Sequence, residues 1–108
     1  MAAPTTPLRT VVWGTGNVGR AAIRAVDAHP GLVLDAVLVA NPDKVGRDAG
    51  DLAELGRDLG VVATTDIDAV LATAPDAVVY AASGDIRPDD AVADVARALR
   101  AGAVVVTP

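Results

Sequence analysis

The sequence predicts an α/β fold, a doubly wound parallel sheet with helices on both faces, and three observations predict it. Short apolar runs alternate with stretches of helical period along all 108 residues. That order, β-α-β-(α)-β-α-β-α-β, needs right-handed crossovers and therefore a parallel sheet. The runs are built from Val, Leu, Ile and Ala, since 52% of the chain is hydrophobic while it holds one Trp, one Tyr and no Phe; small branched side chains suit strands covered on both sides. Finally, the first apolar run passes straight into Gly14-x-Gly16-x-x-Gly19 and on into a helical pattern.

Residues 1–7 read as a flexible tail and 8–108 as one domain. Leu8 to Trp13 is the first strand. Asn17 to Ala28 is a helix with Val18, Ala21, Ala22 and Ala25 inward and Arg20, Arg24 and Asp27 on the wet side. His29-Pro30-Gly31 ends it. Leu32 to Ala40 is the second strand, with one interior charge, Asp35, and Asn41-Pro42-Asp43 turns the chain. From 44 to 60, glycines at 46, 50, 56 and 60 interrupt Leu52, Leu55 and Leu59, the pattern of a short, broken helix. Val61 to Thr64 is a brief third strand. Thr65-x-x-Asp68 resembles a capping box that starts a helix with Ile67, Val70 and Leu71 inward, closed by Pro75. Ala77 to Ala82 is the fourth strand. Pro88 then suits a first helical position, Asp89 and Asp90 suit the first turn, and Val92, Val95, Ala96 and Leu99 form an apolar face. Gly102 ends that helix, and Ala103 to Val106 is the last strand.

Charge and composition exclude several classes of function. Nine Lys and Arg against fourteen Asp and Glu give a net charge of -5, so no general attraction to nucleic acid or anionic lipid is expected. The absence of cysteine removes disulfides, thiolate metal sites and a Cys nucleophile, and fits a reducing cytoplasm. No apolar run approaches the roughly 20 residues of a membrane span, and the first ten residues lack the apolar stretch of a secretory signal. His29 has no second histidine with which to hold a metal.

The glycine loop carries the chemistry. Gly14 allows the tight turn out of the strand, Gly16 lets the backbone approach a pyrophosphate without a Cβ in the way, and Gly19 lets the helix pack closely on the sheet. The phosphates meet free N–H groups at the helix start, where the macrodipole favours an anion by roughly 0.3 to 2 kcal/mol. This is the Rossmann-type arrangement for a dinucleotide. At the end of the second strand an NAD-binding unit places an Asp or Glu on the ribose, and this chain has Asn41. An amide tolerates a phosphate, and Lys44 and Arg47 are near enough in sequence to meet a 2′-phosphate, which favours NADP. Asp43, two residues on, could still serve NAD, and Asn-Pro-Asp is also an ordinary turn. Ser83 and Gly84 follow the fourth strand at the lip where a nicotinamide ring is expected. Asp85 reads as a loop residue that satisfies backbone groups, Trp13 and Tyr80 read as core, and Asp94 with Arg97 reads as a solvated pair.

Three segments together resemble one family: Val11-Val12-Trp13-Gly14-Thr15-Gly16-Asn17-Val18-Gly19-Arg20, the stretch from Asn41 to Leu52 with Lys44-Val45-Gly46-Arg47-Asp48-Ala49-Gly50 inside it, and Asp76 to Gly84. They are similar to the N-terminal domain of dihydrodipicolinate reductase-like proteins, the branch that includes 2,4-diaminopentanoate dehydrogenase and amine dehydrogenases. The resemblance implies an oxidoreductase acting on C=N or CH–NH2 groups, with a separate C-terminal domain for the substrate and the oligomer contacts that is absent from this sequence. It also implies that Gly14, Thr15, Gly16, Asn17, Val18 and Gly19 hold the pyrophosphate. Asn41 with Lys44 then takes the adenosine ribose side, and Ser83 with Gly84 the nicotinamide side. On this reading the chain binds nucleotide but turns over little alone. A non-catalytic nucleotide-sensing or partner-binding module is the alternative, since fold alone cannot choose. S-adenosylmethionine suits the loop less well, having no pyrophosphate to reward the helix N-terminus.

Overall fold

The computed structural model describes residues 6–82 and 88–107. All five apolar runs form strands: β1 Leu8–Trp13, β2 Leu32–Leu38, β3 Ala63–Thr64, β4 Ala77–Tyr80 and β5 Val104–Val106. Every neighbouring pair is parallel, in the order β3-β2-β1-β4-β5. The direction of winding therefore reverses between β1 and β4, and the crevice at their carboxyl ends is where open α/β sheets bind ligands. Among the described residues, four α-helices connect the strands: α1 Asn17–Ala28, α2 Ala49–Leu52, α3 Ile67–Ala72 and α4 Pro88–Arg100. None among the described residues is long and apolar enough to cross a membrane.

The sheet separates two cores, and the pleat sorts residues between them. Val12, Val37, Ile23, Val26 and Leu52 lie on the α1 side. Val11, Leu38, Val78, Val70 and Ala98 lie on the side of α3 and α4. The charge inside β2 has a place of its own: pairing steps from Thr10↔Leu34 to Val11↔Ala36, so Asp35 is bulged out. Its carboxylate there accepts from Arg9 at 2.9 Å.

Both long helices bury a face one residue away from the one the apolar pattern predicts. In α1 the buried residues are Gly19, Ile23 and Val26, whereas Val18, Ala21 and Ala25 are exposed. Gly19 must press on the turn, and that fixes the rotation. In α4, Ala98 is buried with Ala91 and Val95 packed beside it, leaving Val92 69% and Leu99 56% exposed. The buried stripe also carries Asp94, whose Oδ2 accepts from the Tyr80 hydroxyl at 2.8 Å. A buried phenol needs such a partner, so Asp94 is not paired with Arg97 at the surface. Arg97 donates to Asp68 of α3 instead.

Of the short, broken helix expected between 44 and 60, only one turn forms. A 3₁₀ turn, Pro42–Lys44, and the single turn of α2 are the regular structure of the segment. Four glycines make a longer helix too costly in chain entropy. Leu52 is buried, and Leu55 and Leu59 pack on the core as their spacing suggests. What shapes the loop is Asp48, whose carboxylate accepts from the N–H groups of Gly50 at 2.7 Å, Leu59 at 2.7 Å and Gly60 at 2.8 Å. These bonds, that from Leu59 foremost, hold its pKa below the usual carboxylate value. The start of α3 also differs from the predicted box: Asp66 is the cap, accepting from Ala69 N at 3.0 Å.

The polar side of α1 is a docking face as well as a wet one. Arg24 donates to Ala53 O at 3.0 Å, Arg20 reaches Glu54 at 3.5 Å, and Asp27 pairs with Arg57. Residues 53–57 are thus strapped along the helix.

Candidate nucleotide-binding site

The three glycines of the loop have different reasons to be glycine. Gly14 sits at φ 109°, and a Cβ there would lie 2.6 Å from Ala82 N. A Cβ on Gly19 would lie 1.8 Å from the carbonyl oxygen of Gly14. The fold itself requires both. Gly16 has an ordinary extended backbone, φ −74° and ψ −163°, and its missing Cβ would meet nothing within 4 Å. No side chain caps α1, for which Gly16 is the N-cap.

Thr15 is buried, and its Oγ1 accepts from Lys44 Nζ at 2.9 Å. Asn17 turns its Oδ1 to Arg20, and Val18 is half-exposed. Asn41 uses its Oδ1 on Asp43 N at 2.9 Å, capping the 3₁₀ turn. A cleft of about 590 Å³ runs along the carboxyl ends of the strands past Gly14, Thr15, Gly16, Asn41 and Lys44, with Ile67 and Asp94 on its far side. The structure therefore brings the glycine loop, Asn41 and Lys44 to one cleft. Ser83 and Gly84, expected at its other lip, and Asp85 lie outside the described residues. A second cleft of about 570 Å³ shares the Thr15, Gly16 and Lys44 wall and is lined further by Arg20, Arg47, Asp51 and Glu54.

Trp13 and Tyr80 are core, as predicted. Both are buried, edge to face with centroids 5.2 Å apart and planes at 70°. Burial first, and then the Asp94 carboxylate, pushes the Tyr80 phenol up, so it stays protonated and donates. His29 closes α1, its Nδ1 accepting from Gly31 N at 2.9 Å. Sequence reasoning missed Arg20, Asp51, Glu54 and Asp94 as cleft residues. For Asp94 the signal was present, since a lone Tyr in a buried strand demands an acceptor from the helix that covers it.

Residues 8–106 match the family described as dihydrodipicolinate reductase, N-terminus. The chain belongs to this family. Its relatives include an amine dehydrogenase of Streptomyces virginiae, 72% identical over 101 residues that make up 94% of this chain and 28% of that protein. The 4-hydroxy-tetrahydrodipicolinate reductase of Laribacter hongkongensis is 46% identical over 69 residues, 62% of this chain and 25% of that one. Among solved structures, the amine dehydrogenase from Mycobacterium smegmatis superposes with a TM-score of 0.79 at 33% identity, over 93% of this chain and 29% of that chain. These relatives are oxidoreductases, and the chain spans less than a third of their length. It is the Rossmann-type nucleotide-binding domain of the dihydrodipicolinate reductase and amine dehydrogenase group.

Proposed function

We propose that this domain binds NADP(H), with the pyrophosphate across Gly14, Thr15, Gly16, Asn17, Val18 and Gly19, as the cofactor-holding part of an oxidoreductase acting on C=N or CH–NH2 groups. One observation carries the reading: Gly16 is a glycine that the fold does not need. Space a Cβ would fill, beside an uncapped helix N-terminus, is what an approaching diphosphate requires. Lys44, held at Thr15, adds a positive charge on the open side of the loop. With the Asn41 oxygen committed to Asp43, its amide nitrogen is the end that would meet a ribose hydroxyl. Ser83 and Gly84 are proposed for the nicotinamide side.

When bound, the cofactor supplies hydride chemistry; this chain grips and orients it. Turnover by this chain alone is expected to be negligible, because the described cleft residues include no free acid placed to protonate a product: Asp94 is engaged by Tyr80. The test is calorimetric titration with NADPH of the parent and of Gly16→Val. The variant is expected to fold, since its Cβ meets open space, with a small loss of thermal stability because valine is a poorer N-cap than glycine, and to bind at least about tenfold more weakly, as clashes and blocked donors cost about 1.4 kcal/mol or more. Equal affinity in the two proteins defeats the loop assignment.

A further inference from the structure

Helix α4 turns three sides to three environments. Ala91, Val95 and Ala98 face the sheet, and Arg97 faces α3, where it pairs with Asp68. On the third side stand Leu99 and Val92, the most exposed large apolar side chain among the described residues. At about 100° per residue these two point within roughly 20° of each other and nearly opposite Arg97. Asp89, Val92, Ala96 and Leu99 recur at intervals of three and four, the seam along which one helix packs on another. The charges on this side are ordered too: Asp89 lies in the first turn and Arg100 in the last, both exposed. Each suits its own end of the helix dipole, but the dipole gives no reason for a valine and a leucine in water between them.

A stripe that is acidic at one end, apolar in the middle and basic at the other is complementary to itself when turned end for end. We infer that a second copy of this chain packs on the Val92 and Leu99 side of α4, antiparallel about a two-fold axis near Ala96. Val92 of each copy then meets Leu99 of the other, and Asp89 of each copy comes within an arginine's reach of Arg100 of the other. Ala96 is small enough to let the helix axes approach to about 8 Å at the crossing. A parallel pair would set Asp89 against Asp89 and Arg100 against Arg100, so the charges select the antiparallel one. The contact is isologous and closes at two copies. One 13-residue helix per copy makes an interface at the small end of the specific range, and a net charge of -5 on each chain opposes it, so the pairing is weak and shows at high concentration. The seam shares no residue with the glycine loop, and the inference is independent of the nucleotide reading.

The experiment is sedimentation velocity on the 108-residue chain from about 10 µM to about 1 mM, the range of weak association. It compares the parent, Leu99→Gln, Val92→Gln, Asp89→Arg, Arg100→Asp and the double reversal Asp89→Arg/Arg100→Asp, each checked by thermal unfolding. The parent is expected to pass from monomer to dimer and no further. Leu99→Gln is expected to weaken the dimer at least about tenfold, because two buried leucines are lost per dimer, and Val92→Gln several-fold. Each single reversal sets like charges together at both ends and is expected to weaken the dimer several-fold. The double reversal restores both pairs and is expected to come back to within about twofold of the parent, and an equimolar mixture of the two single reversals to associate more strongly than either alone. Should a reversal at a helix end fold poorly, Leu99→Gln and Val92→Gln, at exposed positions, still carry the test. A parent that stays monomeric throughout overturns the pairing and leaves this side of α4 to another occupant. Assembly beyond the dimer, a dimer unchanged by Leu99→Gln and Val92→Gln, or folded single reversals whose mixture gains nothing overturns it as well.

Discussion

The β1–α1 corner and the 42–60 segment form facing walls of one cleft, yet they are held by different forces. The corner is backbone geometry: Gly14 N donates to Leu38 O at 2.8 Å and Arg20 N to Gly16 O at 2.9 Å, between a strand and a helix that are regular on both sides. In the segment, side chains do much of the holding. Asn41 supports the 3₁₀ turn, Asp48 gathers the N–H groups of Gly50, Leu59 and Gly60, and Arg24 of α1 reaches Ala53 O. A wall built from backbone keeps its shape at any pH. One built on carboxylates and guanidinium groups depends on their charge.

The largest test of this contrast compares two glycines. A Cβ on Gly19 would lie 1.8 Å from Gly14 O, and one on Gly50 would lie 1.9 Å from Arg57 O. Both obstacles are backbone, but the first joins a strand to a helix while the second sits in a loop that can shift. Gly19→Ala is expected to cost about 3 kcal/mol or more, and Gly50→Ala about 1 to 2 kcal/mol, the range for overpacking with partial relaxation. Urea denaturation of both measures the difference. Equal costs would mean the segment is as stiff as the corner, and the contrast would fail.

The same contrast explains what could be read from the sequence. The bounds of β1 and α1 follow from local pattern, because a glycine loop at fixed offsets punctuates them, and the parallel pairing of the strands follows from the alternation of elements. The faces of α1 and α4 were read one residue off for a physical reason. Alanine fits either side of a helix, so Ala21, Ala22 and Ala25, or Ala91, Ala96 and Ala98, cannot fix the rotation that Gly19 and the Tyr80 hydroxyl impose. The role of Asp48 was legible only as a cap through Gly50 two residues on; its other partners, Leu59 and Gly60, lie eleven and twelve residues on, beyond any local motif. In the candidate site, the loop glycines were legible and the charges around them were not. Arg20 and Glu54 are 34 residues apart in sequence and meet through the docking of the segment on α1.

A smaller effect concerns the charge of Asp48. Its folded pKa is depressed, so its contribution is present above the unfolded carboxylate value of about 3.9 and is lost as pH falls through that value toward the folded one. Asp48→Ala is expected to cost about 2 kcal/mol at pH 7, from a lost cap and stranded N–H groups. Asp48→Asn keeps an acceptor and no titration, so the stability gap between it and the parent should narrow between about pH 5 and pH 3. Thermal unfolding across that range reads the gap directly. A gap that stays constant would show that shape, not charge, holds the loop.

The smallest effect decides whether the segment moves as one unit. Arg24 and Asp48 never touch, but they fasten the same stretch at Ala53 and at Gly50, Leu59 and Gly60. Arg24→Ala alone is expected to cost about 1 kcal/mol, a charge-assisted bond to a half-buried carbonyl. If either loss frees the segment as a whole, the second loss has less left to release. The double variant should then fall short of the sum by about 0.5 to 1 kcal/mol. Arg24→Ala combined with Tyr80→Phe, on the opposite face of the sheet, should be additive. Coupling in the first pair and none in the second would locate the compliance of the cleft in the 42–60 wall; additivity in both would make that wall a set of independent contacts.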